Sequence, residues 1–175
     1  MRVPLNIAIV TISDTRTIET DTSGRYLCEA IQKAGHLLIE RQIVTDDRSS
    51  IASLFRKLSN KTSVDVIIST GGTGLTGRDV TPEAVQDVIE KDIPGFGELF
   101  RWLSYQKIGT STIQSRACAG VCNGSFLFAL PGSPSACRDA WENILLAQLD
   151  IDNKPCNFAE ILPRLSESSD ARRKN

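Results

Sequence analysis

The sequence predicts an α/β fold, a three-layer sandwich in which a mostly parallel sheet carries helices on both faces and a small antiparallel β insert. Three observations predict it. Apolar β-branched runs alternate with amphipathic helical patterns from Leu5 to Ser69. The third run feeds a loop, Thr70-Gly71-Gly72-Thr73-Gly74, that restarts as a helix at Thr81-Pro82. Two short β-like runs then flank Asn123-Gly124. Strand, helix, strand order in one sheet means right-handed crossovers, and such sheets bind ligands beyond the carboxyl ends of their strands.

Each element has its own reason. Leu5 to Ile12 is continuously apolar, as a strand buried on both faces should be. Thr22 or Ser23 can cap a helix in which Leu27, Ala30, Ile31 and Ala34 share one face, and Gly35 sits where that helix should stop. Leu37 to Val44 reads as the second strand. Asp46 or Asp47 can cap the next helix, whose Ile51, Leu54, Phe55 and Leu58 repeat the apolar spacing. Val64 to Ser69 is the third strand. After Thr81 a helix is expected to about Lys91, with Pro94-Gly95 breaking it before an apolar segment from Phe96 to Tyr105. Ile113 to Val121 and Ser125 to Leu130 form the expected antiparallel insert, turned by Asn-Gly. Ser133 and Pro134 open a last helix as cap and first-turn proline, with Cys137, Ala140, Trp141 and Ile144 on its inner face. Residues 1–165 read as one domain and 166–175 as a flexible tail.

Composition narrows the function. A chain of 175 residues can bury roughly two-thirds of its unfolded surface without covalent staples. With 20 basic against 21 acidic side chains the net charge is -1, so no basic field recruits nucleic acid, and an anion must be held locally. The five cysteines are odd in number and lack a C-x-x-C pair, which fits reduced thiols better than disulfides or zinc. No signal peptide or membrane span is read in the sequence, so a cytoplasmic protein without membrane partners is expected.

The chemistry concentrates at strand ends. One glycine would satisfy a tight strand-to-helix turn. Gly71, Gly72 and Gly74 with the Thr73 hydroxyl favour close approach of a phosphate, although the string is neither a P-loop nor G-x-G-x-x-G. Asp79 can pair with Arg78 or cap the following helix. Beside a phosphate cradle, however, a carboxylate is unfavourable unless a divalent cation intervenes, and Mg²⁺ takes one or two carboxylates together with substrate phosphates. Asp46 and Asp14 sit at the other strand ends with the same potential role. Pro131-Gly132-Ser133 is either a second anion cup or an ordinary helix cap, and Ser115-Arg116 offers a hydroxyl and a guanidinium fork for phosphate, or a common surface arginine. His36, the single histidine, reads as structural, which disfavours Ser-His-Asp or Cys-His hydrolysis.

Taken together, Val10-Thr11-Ile12-Ser13-Asp14, Asp21-Thr22-Ser23-Gly24, Thr70 to Gly74 with Arg78-Asp79-Val80-Thr81-Pro82-Glu83-Ala84, Pro94-Gly95-Phe96-Gly97-Glu98, Ser115-Arg116 and Pro131-Gly132-Ser133 resemble the molybdopterin-binding MoaB/MogA family over residues 5–150. The stretch from Phe96 to Gly120 and the segment Lys154-Pro155-Cys156-Asn157-Phe158 resemble its bacterial B branch. The resemblance implies a homo-oligomer (trimer or hexamer), binding of molybdopterin and, where the acids are intact, its adenylylation by Mg-ATP with release of pyrophosphate. It assigns Asp79 and Asp46 to the Mg²⁺–ATP site as catalytic and metal-binding groups and Gly71, Gly72, Thr73 and Gly74 to the phosphate cradle. Ser115, Pro131, Gly132 and Ser133 then line the pterin-phosphate pocket, with Ser13, Asp14 and Arg116 at the same substrate-binding edge. Val44-Thr45-Asp46 replaces the Val-Pro-Asp frequent in the adenylyltransferases, keeping the carboxylate but loosening the turn. The alternative is a catalytically silent molybdopterin-binding or scaffold protein of the same family.

Overall fold

In the computed structural model, which describes residues 3–167, six strands form one sheet in the order β2-β1-β3-β6-β5-β4. The elements are β1 (Asn6–Ile12), α1 (Thr22–Lys33), β2 (Leu37–Val44), α2 (Arg48–Ser59), β3 (Val66–Thr70), α3 (Thr81–Gln86), β4 (Lys91–Asp92), α4 (Pro94–Ile108), β5 (Cys118–Cys122), β6 (Ser125–Leu130), α5 (Pro134–Ala140), α6 (Leu146–Gln148) and α7 (Phe158–Ile161). A 3₁₀ segment, Gly109–Gln114, precedes β5, and a π turn, Trp141–Leu145, joins α5 to α6.

β2, β1, β3 and β6 run parallel, and β5 is antiparallel to both of its neighbours. The period-2 alternation of the central strands divides the core into two layers. Ile7, Ile9, Val66, Ile68, Phe126, Phe128 and Leu130 face α1, α4 and α5, whereas Ala8, Val10, Ile12, Ile67, Leu127 and Ala129 face α2 and α3. Because β1 is flanked by β2 on one side and β3 on the other, the chain reverses direction of travel across the sheet at β1 and β3. That reversal opens a crevice at their carboxyl ends.

Several expectations are sharpened or corrected. The antiparallel part belongs to the main sheet: β6 pairs with β3 all along Val66–Thr70, so the hairpin extends the core rather than inserting into it. Its turn does use Asn123 and Gly124, both with positive φ (48° and 80°), as a type I′ turn requires. Ile113 is not in a strand. It lies in the 3₁₀ segment with 81% of its surface exposed, and the strand begins only at Cys118. The helix after Thr81 ends at Gln86 instead of reaching Lys91, because the sheet edge claims the following backbone: Glu90 N–H donates to Val121 O at 2.8 Å and Ile93 N–H to Ala119 O at 2.9 Å. The cap of α1 is Asp21, one residue before the expected Thr22 or Ser23, and Asp47 rather than Asp46 caps α2. Ser133 caps α5 as expected. The five cysteines are free thiols. Among the described residues no helix is long and apolar enough to cross a membrane. Most of the expected tail, from 168 onward, lies outside the described residues.

Candidate active site

The crevice is built by three loops that follow parallel strands. β3 delivers Gly71 and Gly72 with φ of 108° and 63°, values that L side chains rarely adopt. At Gly71 a Cβ would run into the carbonyl oxygen of Ile12 on β1. At Gly72 it would collide with the Thr81 hydroxyl and lie 3.0 Å from Asp46 Oδ1. The turn is tied down from every side. Gly71 N–H donates to Leu130 O at 3.0 Å, Thr81 Oγ1 donates to Gly71 O at 2.9 Å, and Thr81 N–H to Gly72 O at 3.0 Å. The Pro131–Ser133 loop closes one flank: Thr70 Oγ1 donates to Pro131 O at 2.9 Å, and Ser23 Oγ, on α1, to Gly132 O at 2.8 Å.

On one side of this turn lies an acidic ledge. Asp46 stands against Gly72, and Asp79 stands against Gly74, where an added Cβ would lie 2.8 Å from Asp79 Oδ2. The two carboxylates are electrostatically unlike. Burial, reinforced by the neighbouring Asp79 charge, raises the pKa of Asp46. Asp79 is held below its ordinary value, chiefly by the Thr76 hydroxyl at 2.6 Å, with further help from the Thr76 and Gly74 backbone and the Arg116 charge. Of the pair, therefore, Asp46 takes up a proton first. Asp14 is engaged otherwise: it forms an ion pair with Arg78 and accepts the Asp46 N–H at 3.0 Å, so Arg78 is the partner of Asp14 rather than of Asp79. Among the described residues no group of three or more His, Cys, Asp or Glu is arranged to hold a metal by itself. A Mg²⁺ shared with substrate phosphates is commonly bound through only one or two protein carboxylates.

Beside the turn is a cavity of about 250 Å³, lined by Ser13, Arg16, Thr22, Gly71, Gly72 and Gly132 among others, with neither Asp46 nor Asp79 in its wall. Its buried wall is Asp21, which is 2% exposed. Burial alone would push that carboxyl up, but Thr11 Oγ1 at 2.6 Å, Gly24 N–H at 2.8 Å and Arg41 Nη2 at 3.0 Å outweigh it and lower the pKa. Asp21 is thus a neutralised structural acid, and Arg16 is a lining residue that sequence reasoning missed. The available signal was its place three residues after Ser13, within reach of the same strand end.

Ser115 and Arg116 do not join that cavity. They line a separate one of about 470 Å³ between α4 and β5, with Gly97, Glu98 and Arg101. The Arg116 fork is committed to the protein: Nε donates to Gly74 O and Nη2 to Asp79 O, each at 2.7 Å, and Nη1 pairs with Glu83. The carbonyls of a tight glycine loop face inward and need donors, and Arg116 supplies them. It shapes the cradle from behind and is not a free phosphate fork. The two cavities therefore share no lining residue. A larger groove of about 840 Å³ lies elsewhere, along α1 and the π turn, and is lined by none of the substrate-, metal- or catalytic-site residues expected from the sequence.

The chain is similar to known proteins over most of its length. Residues 8–150 match the family model described as "Probable molybdopterin binding domain". The chain is 49% identical over 156 residues to molybdenum cofactor biosynthesis protein B of Escherichia coli (strain K12), covering 89% of this chain and 92% of that one. It is 48% identical over 142 residues to the protein of the same name from Bacillus cereus, covering 81% and 84%. A crystal structure of molybdenum cofactor biosynthesis protein B superposes with a TM-score of 0.82 at 46% identity, covering 84% of this chain and 92% of that one. A sheet whose reversal point carries this glycine turn, matched by the family model across most of its length, places the chain in the MoaB/MogA family of molybdopterin-binding-domain proteins.

Proposed function

We propose that the protein acts in molybdenum cofactor biosynthesis by binding molybdopterin and adenylylating it with Mg-ATP. The observation that supports this most directly is the pair Asp46 and Asp79 set against the glycine turn, one carboxylate raised in pKa and the other lowered. In the reaction a terminal phosphate oxygen of the pterin bonds to the α-phosphorus of ATP, and the bond from that phosphorus to the α,β-bridging oxygen breaks, releasing pyrophosphate. Two anions must be brought together, so positioning and charge neutralisation carry the catalysis. Gly71, Gly72 and Gly74 add no side chains of their own where a phosphate would approach the backbone of the turn. Asp46 and Asp79 are the residues that would hold a Mg²⁺ arriving with the nucleotide, and the chemistry it would supply is neutralisation of phosphate charge. Arg116 keeps Gly74 and Asp79 in register. The exposed apolar side chains of α4, Leu99, Trp102, Tyr105 and Ile108, support the reading that copies of the chain assemble.

The test is incubation of the protein with molybdopterin, ATP and Mg²⁺, followed by measurement of adenylylated product. Asp79→Ala should keep the fold and lose about a hundredfold or more in rate, the scale of removing one preorganised charge-stabilising group. Near-normal turnover of that variant would remove Asp79 from the mechanism. The bonds that Thr76 makes to Asp79 favour one second reading, in which the carboxylate only staples its own loop and the protein binds pterin without reacting. Pterin binding with no product would select it.

A further inference from the structure

We infer that Arg16 selects the substrate by gripping a metal-free phosphate group in the cavity beside the Gly71–Gly72 turn, leaving the acidic ledge to the phosphates that arrive with a divalent cation. This rests on the adenylyltransferase reading for the identity of the substrate, but its physical basis is the polarity of the crevice. The ledge side carries Asp46 and Asp79, which repel a bare phosphate. The cavity side carries Arg16, while its one carboxylate, Asp21, is already neutralised by Arg41 at 3.0 Å.

The other arginines near the crevice are spoken for. Arg78 is ion-paired with Asp14, Arg116 is committed to Gly74, Asp79 and Glu83, and Arg41 is committed to Asp21. Arg16 makes one side-chain bond among the described residues, from Nη1 to Thr20 O at 3.1 Å, and no ion pair with a carboxylate. That bond steadies the guanidinium while leaving most of its five N–H donors for a planar, bidentate contact with phosphate oxygens. Ser13 adds a donor at the same place. Its Oγ accepts the N–H groups of Thr15 and Arg16, each at 3.2 Å, so its own proton remains to be given to a ligand in the cavity it lines. With a volume of about 250 Å³ the cavity suits a phosphoryl group and the atoms that carry it rather than a whole nucleotide. The phosphate can come from the pterin or from the nucleotide, and the chemistry that Arg16 recognises is the same.

The experiment compares wild type, Arg16→Ala and Arg16→Lys in equilibrium binding without Mg²⁺. The probes are molybdopterin, its dephosphorylated form, ATP and inorganic pyrophosphate, with Mg-ATP as a separate arm and thermal unfolding as the check on folding. Arg16→Ala should weaken the phosphorylated pterin about 10- to 100-fold, the loss of one charge-assisted contact, and leave the dephosphorylated pterin and Mg-ATP unchanged. Arg16→Lys should recover part of the loss, because a point charge replaces the fork. Loss for metal-free ATP with pterin unaffected supports the phosphate grip and assigns it to the nucleotide. Equal binding of every phosphate probe by wild type and Arg16→Ala overturns the inference, as does an equal loss for the dephosphorylated pterin. If the wild type binds no pterin in either form, the adenylyltransferase reading fails, and the pyrophosphate arm alone decides Arg16: a loss in Arg16→Ala sustains it and no loss ends it.

Discussion

Gly74→Ala is a narrow perturbation of the proposed metal site. Unlike Gly71 and Gly72, Gly74 does not have a positive φ, so alanine imposes no backbone strain. Its methyl carbon would lie 2.8 Å from Asp79 Oδ2, 3.1 Å from Cγ and 3.3 Å from Oδ1. The carboxylate must swing away by several tenths of an ångström or more. In doing so it gives up Thr76 N–H at 2.8 Å and Thr76 Oγ1 at 2.6 Å. Those bonds to a charged acceptor face solvent, which puts their joint worth near the low end of the usual range, about 1.5 kcal/mol. Reduced freedom of the unfolded chain returns about 0.5 kcal/mol. The net cost of about 1 kcal/mol corresponds to a fall in Tm of about 2–4 °C for a domain of this size. Displacing a reacting-centre group by about 1 Å costs roughly a hundredfold in rate. The expected signature is thus a small change in thermal unfolding, followed by circular dichroism, with a large loss of adenylylated product. A variant with wild-type turnover would refute the claim that Asp79 must sit where Gly74 leaves room for it.

Gly71→Ala should behave in the opposite sense. Strain at φ 108° and a clash with the Ile12 carbonyl predict a loss of about 3 kcal/mol or more in urea unfolding. Asp46→Asn tests the electrostatics of the ledge. The folded-state pKa of Asp46 is raised, so its ionisation costs stability in full above that pKa and nothing below the unfolded value of about 3.9. The asparagine variant should therefore melt higher than wild type at neutral pH, and the difference should vanish as the pH falls below about 4. Arg116→Lys keeps the charge but cannot bridge Gly74 O, Asp79 O and Glu83 at once. Steady-state kinetics should show kcat falling about tenfold or more with little change in KM for the pterin, the result expected of a residue that positions the loop without touching substrate.

Periodicity alone determined a good deal about this chain. The buried run at Leu5–Ile12, the apolar-rich edge run at Leu37–Val44 and the helical spacing of Leu27 with Ile31, and of Ile51 with Leu54, Phe55 and Leu58, are local patterns, and local patterns survive without knowledge of neighbours. The glycines of the turn were legible because positive φ is a property of a single residue. What only the tertiary structure decided was pairing. That β6 joins β3 and that Lys91–Asp92 becomes an edge strand in place of helix both depend on groups far away in the chain supplying hydrogen bonds. The roles of the charged residues are of the same kind. Arg116 reads in the sequence as a phosphate fork and Arg78 as a partner for Asp79, yet the folded chain gives Arg116 to the carbonyls of the glycine loop and Arg78 to Asp14. A charge is satisfied by whatever the fold brings within a few ångströms of it, and sequence spacing carries no such distance.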